Sequence, residues 1–61
     1  MSIEAKKLYL KIIGDLNLLS KLHDLDNSDE RVDVVVKECM DSGLDVPLEV
    51  IKYVLKNLPG E

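Results

Sequence analysis

The chain holds one cysteine, one histidine, no tryptophan, no phenylalanine and only two tyrosines in 61 residues. Cys39 has no second thiol to pair with, so packing and hydrogen bonds must hold the fold, as suits a reducing compartment. With His23 as the only imidazole, no ligand pair of the C-x-x-C or H-x-x-x-H kind exists, and no metal is expected. Three scattered glycines make neither a phosphate loop nor a dinucleotide fingerprint, so no cofactor is expected either. Long apolar runs are missing too. Lys6, Lys7 and Lys11 interrupt the apolar residues at the start, which excludes a cleavable signal there, and nothing approaches the ~20 residues that span a bilayer. The expectation is a cytoplasmic protein that does not engage a membrane.

Positive charge is also scarce. Twelve carboxylates against eight basic side chains give a net charge of −4, which disfavours nonspecific binding to nucleic acid or anionic lipid. The charge is unevenly placed. Residues 1–21 carry four lysines against two carboxylates, a net of +2, whereas residues 22–49 carry Arg31 and Lys37 against nine carboxylates, a net of −7. Such an acidic middle keeps a chain in solution and can steer a basic partner.

What is present in quantity is apolar and helix-forming: 46% of residues are apolar and 33% charged. A chain this short makes one domain and buries only about 60% of its unfolded surface, so a deep enzyme cleft is not expected. Within residues 31–43, Val32, Val35, Val36, Cys39 and Met40 recur at i, i+3, i+4, i+7 and i+8, which puts them on one side of a helix that looks like the organising element.

Helix signals recur along the whole chain. Ser2 can cap a first helix with Glu4 in its positive first turn, Ala5, Leu8, Tyr9, Ile12 and Ile13 repeat on one side, and Gly14 ends it. Asp15 caps a short second helix carrying Leu16, Leu18, Leu19 and Leu22 inward, with Leu25 a further candidate. Asn27 or Ser28 starts the central helix, Asn27 and Glu30 having the spacing of a capping pair, and Gly43 supplies a positive-φ stop. Pro47 opens the last helix, where its missing N–H has no intrahelical partner. Leu48, Ile51, Val54, Leu55 and Leu58 form its inner stripe, and Leu58-Pro59-Gly60-Glu61 ends it. No stretch alternates with a strand's period, so the predicted fold is all-α, a single-domain bundle of four short helices over about 3–13, 16–23, 28–42 and 47–57.

Chemistry finds little material here. Catalysis needs a nucleophile or an acid and base within reach of each other. His23 could be oriented by Asp24 and Asp26, but at the end of a short helix it reads as a capping or surface residue, and Cys39 belongs to another helix. Asp24, Asp26, Asn27, Asp29 and Glu30 superficially suggest a calcium loop, yet the central glycine is missing and Val35 stands at the twelfth loop position. Cys39, Gly43 and the helix near Pro47 imitate the spacing of a helix-turn-helix. Its leading turn would be Pro47, Leu48, Glu49 and Val50, with no arginine, asparagine or glutamine to read base edges, so no nucleic acid partner is expected. The expectation is a protein without catalytic residues.

Residues 39–51 read Cys39-Met40-Asp41-Ser42-Gly43-Leu44-Asp45-Val46-Pro47-Leu48-Glu49-Val50-Ile51. This stretch resembles the Nif-eleven leader-peptide family, whose pattern is a small residue, three mixed residues, glycine, an apolar, an acidic and an apolar residue, then a helix start ending in an acidic-apolar pair. Cys39 stands where alanine is usual and Pro47 where serine or threonine is. Upstream, Leu18 and Leu22 match a leucine pair of the family, without its proline, and Leu8 stands where phenylalanine is common. The likeness spans roughly residues 2–55. It implies a leader-like domain that a peptide-modifying enzyme binds while it modifies a C-terminal core. The chain is then a free-standing relative, or a leader whose core lies beyond Pro59-Gly60-Glu61.

Recognition by a protein partner, or by a second copy in a homodimer, would fall on surface that the core does not use. Val34, Val50 and Tyr53 sit outside the inner stripes, which points to the last helix and the turn before it: Leu44, Val46, Val50 and Tyr53. The acidic side chains Asp29, Asp33 and Asp41 are the other candidates. The leading expectation is therefore a leader-like helical recognition domain, and the alternative is a small acidic inhibitor or immunity-type protein that covers a basic target.

Overall fold

A computed structural model of the chain describes residues 2–59. Four helices follow in order, α1 (Ile3–Ile13), α2 (Leu16–His23), α3 (Ser28–Asp41) and α4 (Leu48–Lys56), with no strand among the described residues. The fold is the compact all-helical domain that the periodicity predicts, and α1 and α2 have the predicted bounds. Gly60 and Glu61, placed in the terminating segment of α4 by the sequence, lie outside the described residues.

Short polar side chains start three of the helices by accepting hydrogen bonds from N–H groups that have no partner in the first turn. Ser2 Oγ accepts from Ala5 N–H at 3.1 Å and Asp15 Oδ1 from Leu18 N–H at 3.2 Å. Asn27 Oδ1 accepts from Asp29 N–H at 2.8 Å and Glu30 N–H at 3.2 Å, so Asn27 is the cap of α3 and Ser28 its first residue. The start of α4 differs from expectation. Pro47 is extended (φ −60°, ψ 149°) and stands before the helix rather than in it, its carbonyl accepting from the N–H groups of Val50 and Ile51 at 3.0 and 3.1 Å.

The core gathers one stripe from each helix: Ala5, Leu8 and Ile12; Leu18 and Leu22; Val35 and Cys39; Ile51 and Val54, with Leu58 closing it from beyond α4. Full burial of a leucine, isoleucine or valine contributes about 1.5–3 kcal/mol. α4 packs against both α1 and α3, and α1 also packs against α2. The centre is therefore the α1–α4 pair, whereas the sequence had made α3 the organising element.

That layout corrects the predicted stripes. α3 leans chiefly on α4, so only the Val35–Cys39 line is covered; Val32 and Val36 are half-buried and Met40 is 75% exposed. Leu16, expected inward, is 76% exposed because it lies about 200° around α2 from the buried Leu18. Leu48 has the angular position of the inner stripe but stands in the first turn of α4, at the rim, and is 50% exposed.

Candidate functional site

The single cysteine and the single histidine lie on different helices, α3 and α2. Cys39 is buried in the core, and burial pushes its thiol pKa up, with Glu38 adding to the rise and Lys11 opposing it. A protonated buried thiol is a packing group and not a nucleophile. His23 is exposed at the end of α2, with Nε2 at 3.2 Å from the Pro59 carbonyl oxygen, a contact that ties α2 to the chain beyond α4 when that nitrogen carries its hydrogen. Among the described residues no three His, Cys, Asp or Glu side chains converge to hold a metal ion, and no helix is long and apolar enough to cross a membrane.

The surface between helices carries open depressions, four of them of about 290 to 330 Å³, at the lower limit of the roughly 300–1,000 Å³ of small-molecule sites. One of them is built by the turn from α3 to α4. Leu44 N–H donates to the Cys39 carbonyl at 2.8 Å and Gly43 N–H to the Met40 carbonyl at 3.2 Å, the double bond pattern of a helix stop with a left-handed residue. Gly43 has that conformation, φ +69°, as the sequence predicts. This reversal sends residues 44–47 across the end of α3, and Leu44 and Val46 come to line a groove with Val36, Met40 and Leu48. Leu44 and Val46 are half-buried there, while Met40 and Leu48 stay open to solvent.

The structure separates the sequence-derived candidates into different places. Val50, half-buried, and Tyr53, 49% exposed, lie in another depression, against Ser2 and Ala5 at the start of α1. Asp41 borders a third depression, with Lys21 and Lys37 between α2 and α3. Asp29 lies at the fourth, and Asp33 is exposed on α3 outside all four. The residues of the acidic set do not converge.

Two features escaped the sequence. Periodicity places Met40 and Leu48 in the core; the peripheral position of α3 exposes the first, and a place in the first turn of α4 the second. The fourth depression brings together Arg31, Lys52 and Lys56, three of the four cations between residues 22 and 59, over an apolar floor of Val32 and Leu55. Arg31 Nε is buried there without a hydrogen-bond partner among the described residues. The i, i+4 spacing of Lys52 and Lys56 was legible, but their approach to Arg31 depends on the antiparallel packing of α3 and α4. No protein-family model, curated protein or solved structure matches the chain.

Proposed function

We propose that the chain is a non-enzymatic helical recognition domain, leader-like, bound by a peptide-modifying enzyme or a similar protein partner. The observation that carries this reading is the cluster of apolar side chains left in solvent where α3 turns into α4, Met40 and Leu48 at 75% and 50% exposure beside Leu44 and Val46. A domain this short gains stability from burying its apolar residues. Two exposed apolar side chains at one groove, with Leu44 and Val46 beside them, support a docking role. They fall in residues 39–51, the stretch that resembles the leader family, so the resemblance and the exposure support the same surface.

The inhibitor reading draws support from a different region. Asp24, Asp26, Asp29, Glu30 and Asp33 are all exposed, and such a run of carboxylates suits a basic target. The two readings separate by binding of the folded chain to peptide-modifying enzymes, and to toxins or nucleases, encoded beside it. Saturable binding to such an enzyme, lost in the Met40→Ser, Leu48→Ser variant while its helix signal persists, is the expected result. Binding to a toxin or nuclease that the same variant retains would replace the leader reading with the inhibitor.

A further inference from the structure

The groove at the α3–α4 turn and the cationic depression belong to one side of one seam. On α3, Ser28 and Val32 line the cationic depression and Val36 and Met40 line the groove, and these four residues follow one another at i+4, a single row on the helix surface. On α4 the same holds for Leu48 in the groove and Lys52 and Lys56 in the depression. The rows run antiparallel. Together they frame one face of the α3–α4 seam, with three cations and one carboxylate, Asp29, at one end and the half-buried apolar side chains Val32, Val36, Leu55 and Leu44 along it. The other end carries a carboxylate and no cation: Asp45 lines the groove, whereas Glu38 and Asp41 border the depression between α2 and α3 and Glu49 the one against the start of α1.

Resting on the reading of the chain as a recognition domain, we propose that this seam binds an amphipathic α-helix of a partner protein. That helix carries an apolar stripe, carboxylates at the end meeting Arg31, Lys52 and Lys56, and lysine or arginine at the end meeting Asp45. The binding mode follows by elimination among the ways proteins hold a peptide segment. No strand among the described residues offers an edge to extend, and the groove contains no aromatic ring of the kind that holds a proline-rich helix, Tyr53 lying in a different depression. A seam between two helices with apolar side chains along it fits a third helix. Its length follows from the α3 row: Ser28 to Met40 spans twelve residues, about 18 Å, which an occupant of about three turns matches. Opposite charges at the two ends make the seam polar along its length, so complementary charge sets the occupant's orientation as well as its on-rate.

The test uses a stapled helical peptide of about fourteen residues, with leucines at i, i+3, i+4 and i+7, glutamates in its first turn and lysines in its last, titrated against the full chain by calorimetry and amide chemical shifts. Saturable binding that weakens in high salt and shifts the amides of Val32, Val36, Met40 and Leu48 is expected. Replacing the peptide's lysines by glutamates should weaken binding by about five- to tenfold. The Asp45→Lys variant should reverse that preference and take the all-glutamate peptide more tightly. Equal affinity of both peptides for both proteins would overturn the proposal, as would shifts confined to Val50, Tyr53 and the start of α1. Sedimentation showing self-association that Met40→Ser abolishes would also overturn it, by giving the seam to a second copy. A chain that binds its enzyme through another face while ignoring both peptides would leave the recognition reading standing and remove the seam from it.

Discussion

Two glycines end two helices in this chain, and they do so for different physical reasons. Gly14, after α1, has ordinary right-handed backbone (φ −82°, ψ −7°), but a Cβ there would come 2.9 Å from the Leu10 carbonyl oxygen. Gly43, after α3, has φ +69° and open space around the position of a Cβ. The first is needed for room and the second for handedness. Their surroundings follow suit. The Gly14 corner joins α1 to α2 through two residues and keeps the last turn of α1 in the core, where Ile12 is fully buried. The Gly43 reversal instead leaves one side of the last turn of α3 in solvent, with Met40 beside the groove while Cys39 stays in the core. A tight corner closes on the core, while a longer reversal at the periphery makes a surface.

The strongest way to break that contrast is to put a charge at each helix end. Ile12→Asp places an unpaired carboxylate where no water reaches, a loss of several kcal/mol that a domain of this size cannot absorb. Met40→Asp adds the same charge to a side chain already in water and should stay within about 0.5 kcal/mol of the parent. Val36→Asp, at a half-buried position, should fall between. Circular dichroism melts rank the three. A cooperative, parent-like melt for Ile12→Asp would mean that the end of α1 does not face the core.

Exchanging the glycines themselves sharpens the comparison. Gly43→Val should destabilise by ~1 kcal/mol or more, since a β-branched residue resists positive φ, and Gly43→Asn should be milder because asparagine tolerates the left-handed region. At Gly14 asparagine brings no such relief. Gly14→Ala and Gly14→Asn should lose similar amounts, of order 1 kcal/mol, because either Cβ forces the end of α1 away from the Leu10 carbonyl. Denaturant midpoints of the four variants decide it: equal values for the two Gly43 variants would count against the left-handed stop.

Both of these ends were legible in the sequence. Ser2, Asp15 and Asn27 are caps whose side chains act within three residues, so local sequence suffices to place α1, α2 and the start of α3. The stop at Gly43 was equally local. What periodicity does not carry is which edge of a stripe finds a neighbour. Val35, Val36 and Met40 fit one broad apolar face, and their different burial follows from α3 leaning mainly on α4, a tertiary fact. The same limit hid the groove and the meeting of Arg31 with Lys52 and Lys56.

A smaller effect lies between the two ends, at Cys39. Burial raises its thiol pKa, so the unfolded chain releases this proton at lower pH than the folded one. The sign follows: the stabilisation from keeping the thiol neutral is complete below the ordinary cysteine value of about 8.5 and is lost as pH rises above it. Midpoints of urea unfolding should therefore fall more between pH 8 and 10 for the parent than for Cys39→Ala, the pH values being about those that bracket thiol ionisation. Parallel pH profiles would place Cys39 in contact with water.

Least of all should change when Tyr53 is replaced, and that makes it the cleanest separator of the two apolar surfaces on α4. Its ring is half exposed, and the bond made at this residue runs from Asn57 Nδ2 to the Tyr53 carbonyl at 2.7 Å, which belongs to the backbone and survives substitution. Serine and tyrosine have similar helix propensities, so Tyr53→Ser should shift stability by no more than about 0.5 kcal/mol. Val50 is less suitable, being half-buried against the core, where truncation would mix folding with recognition. If the partner docks in the α3–α4 seam, Tyr53→Ser binds it as the parent does, while Leu48→Ser, five residues away on the same helix, loses binding. The opposite outcome, affinity lost with Tyr53 and kept without Leu48, would move recognition to the face that α4 shares with the start of α1, beside Ser2 and Ala5.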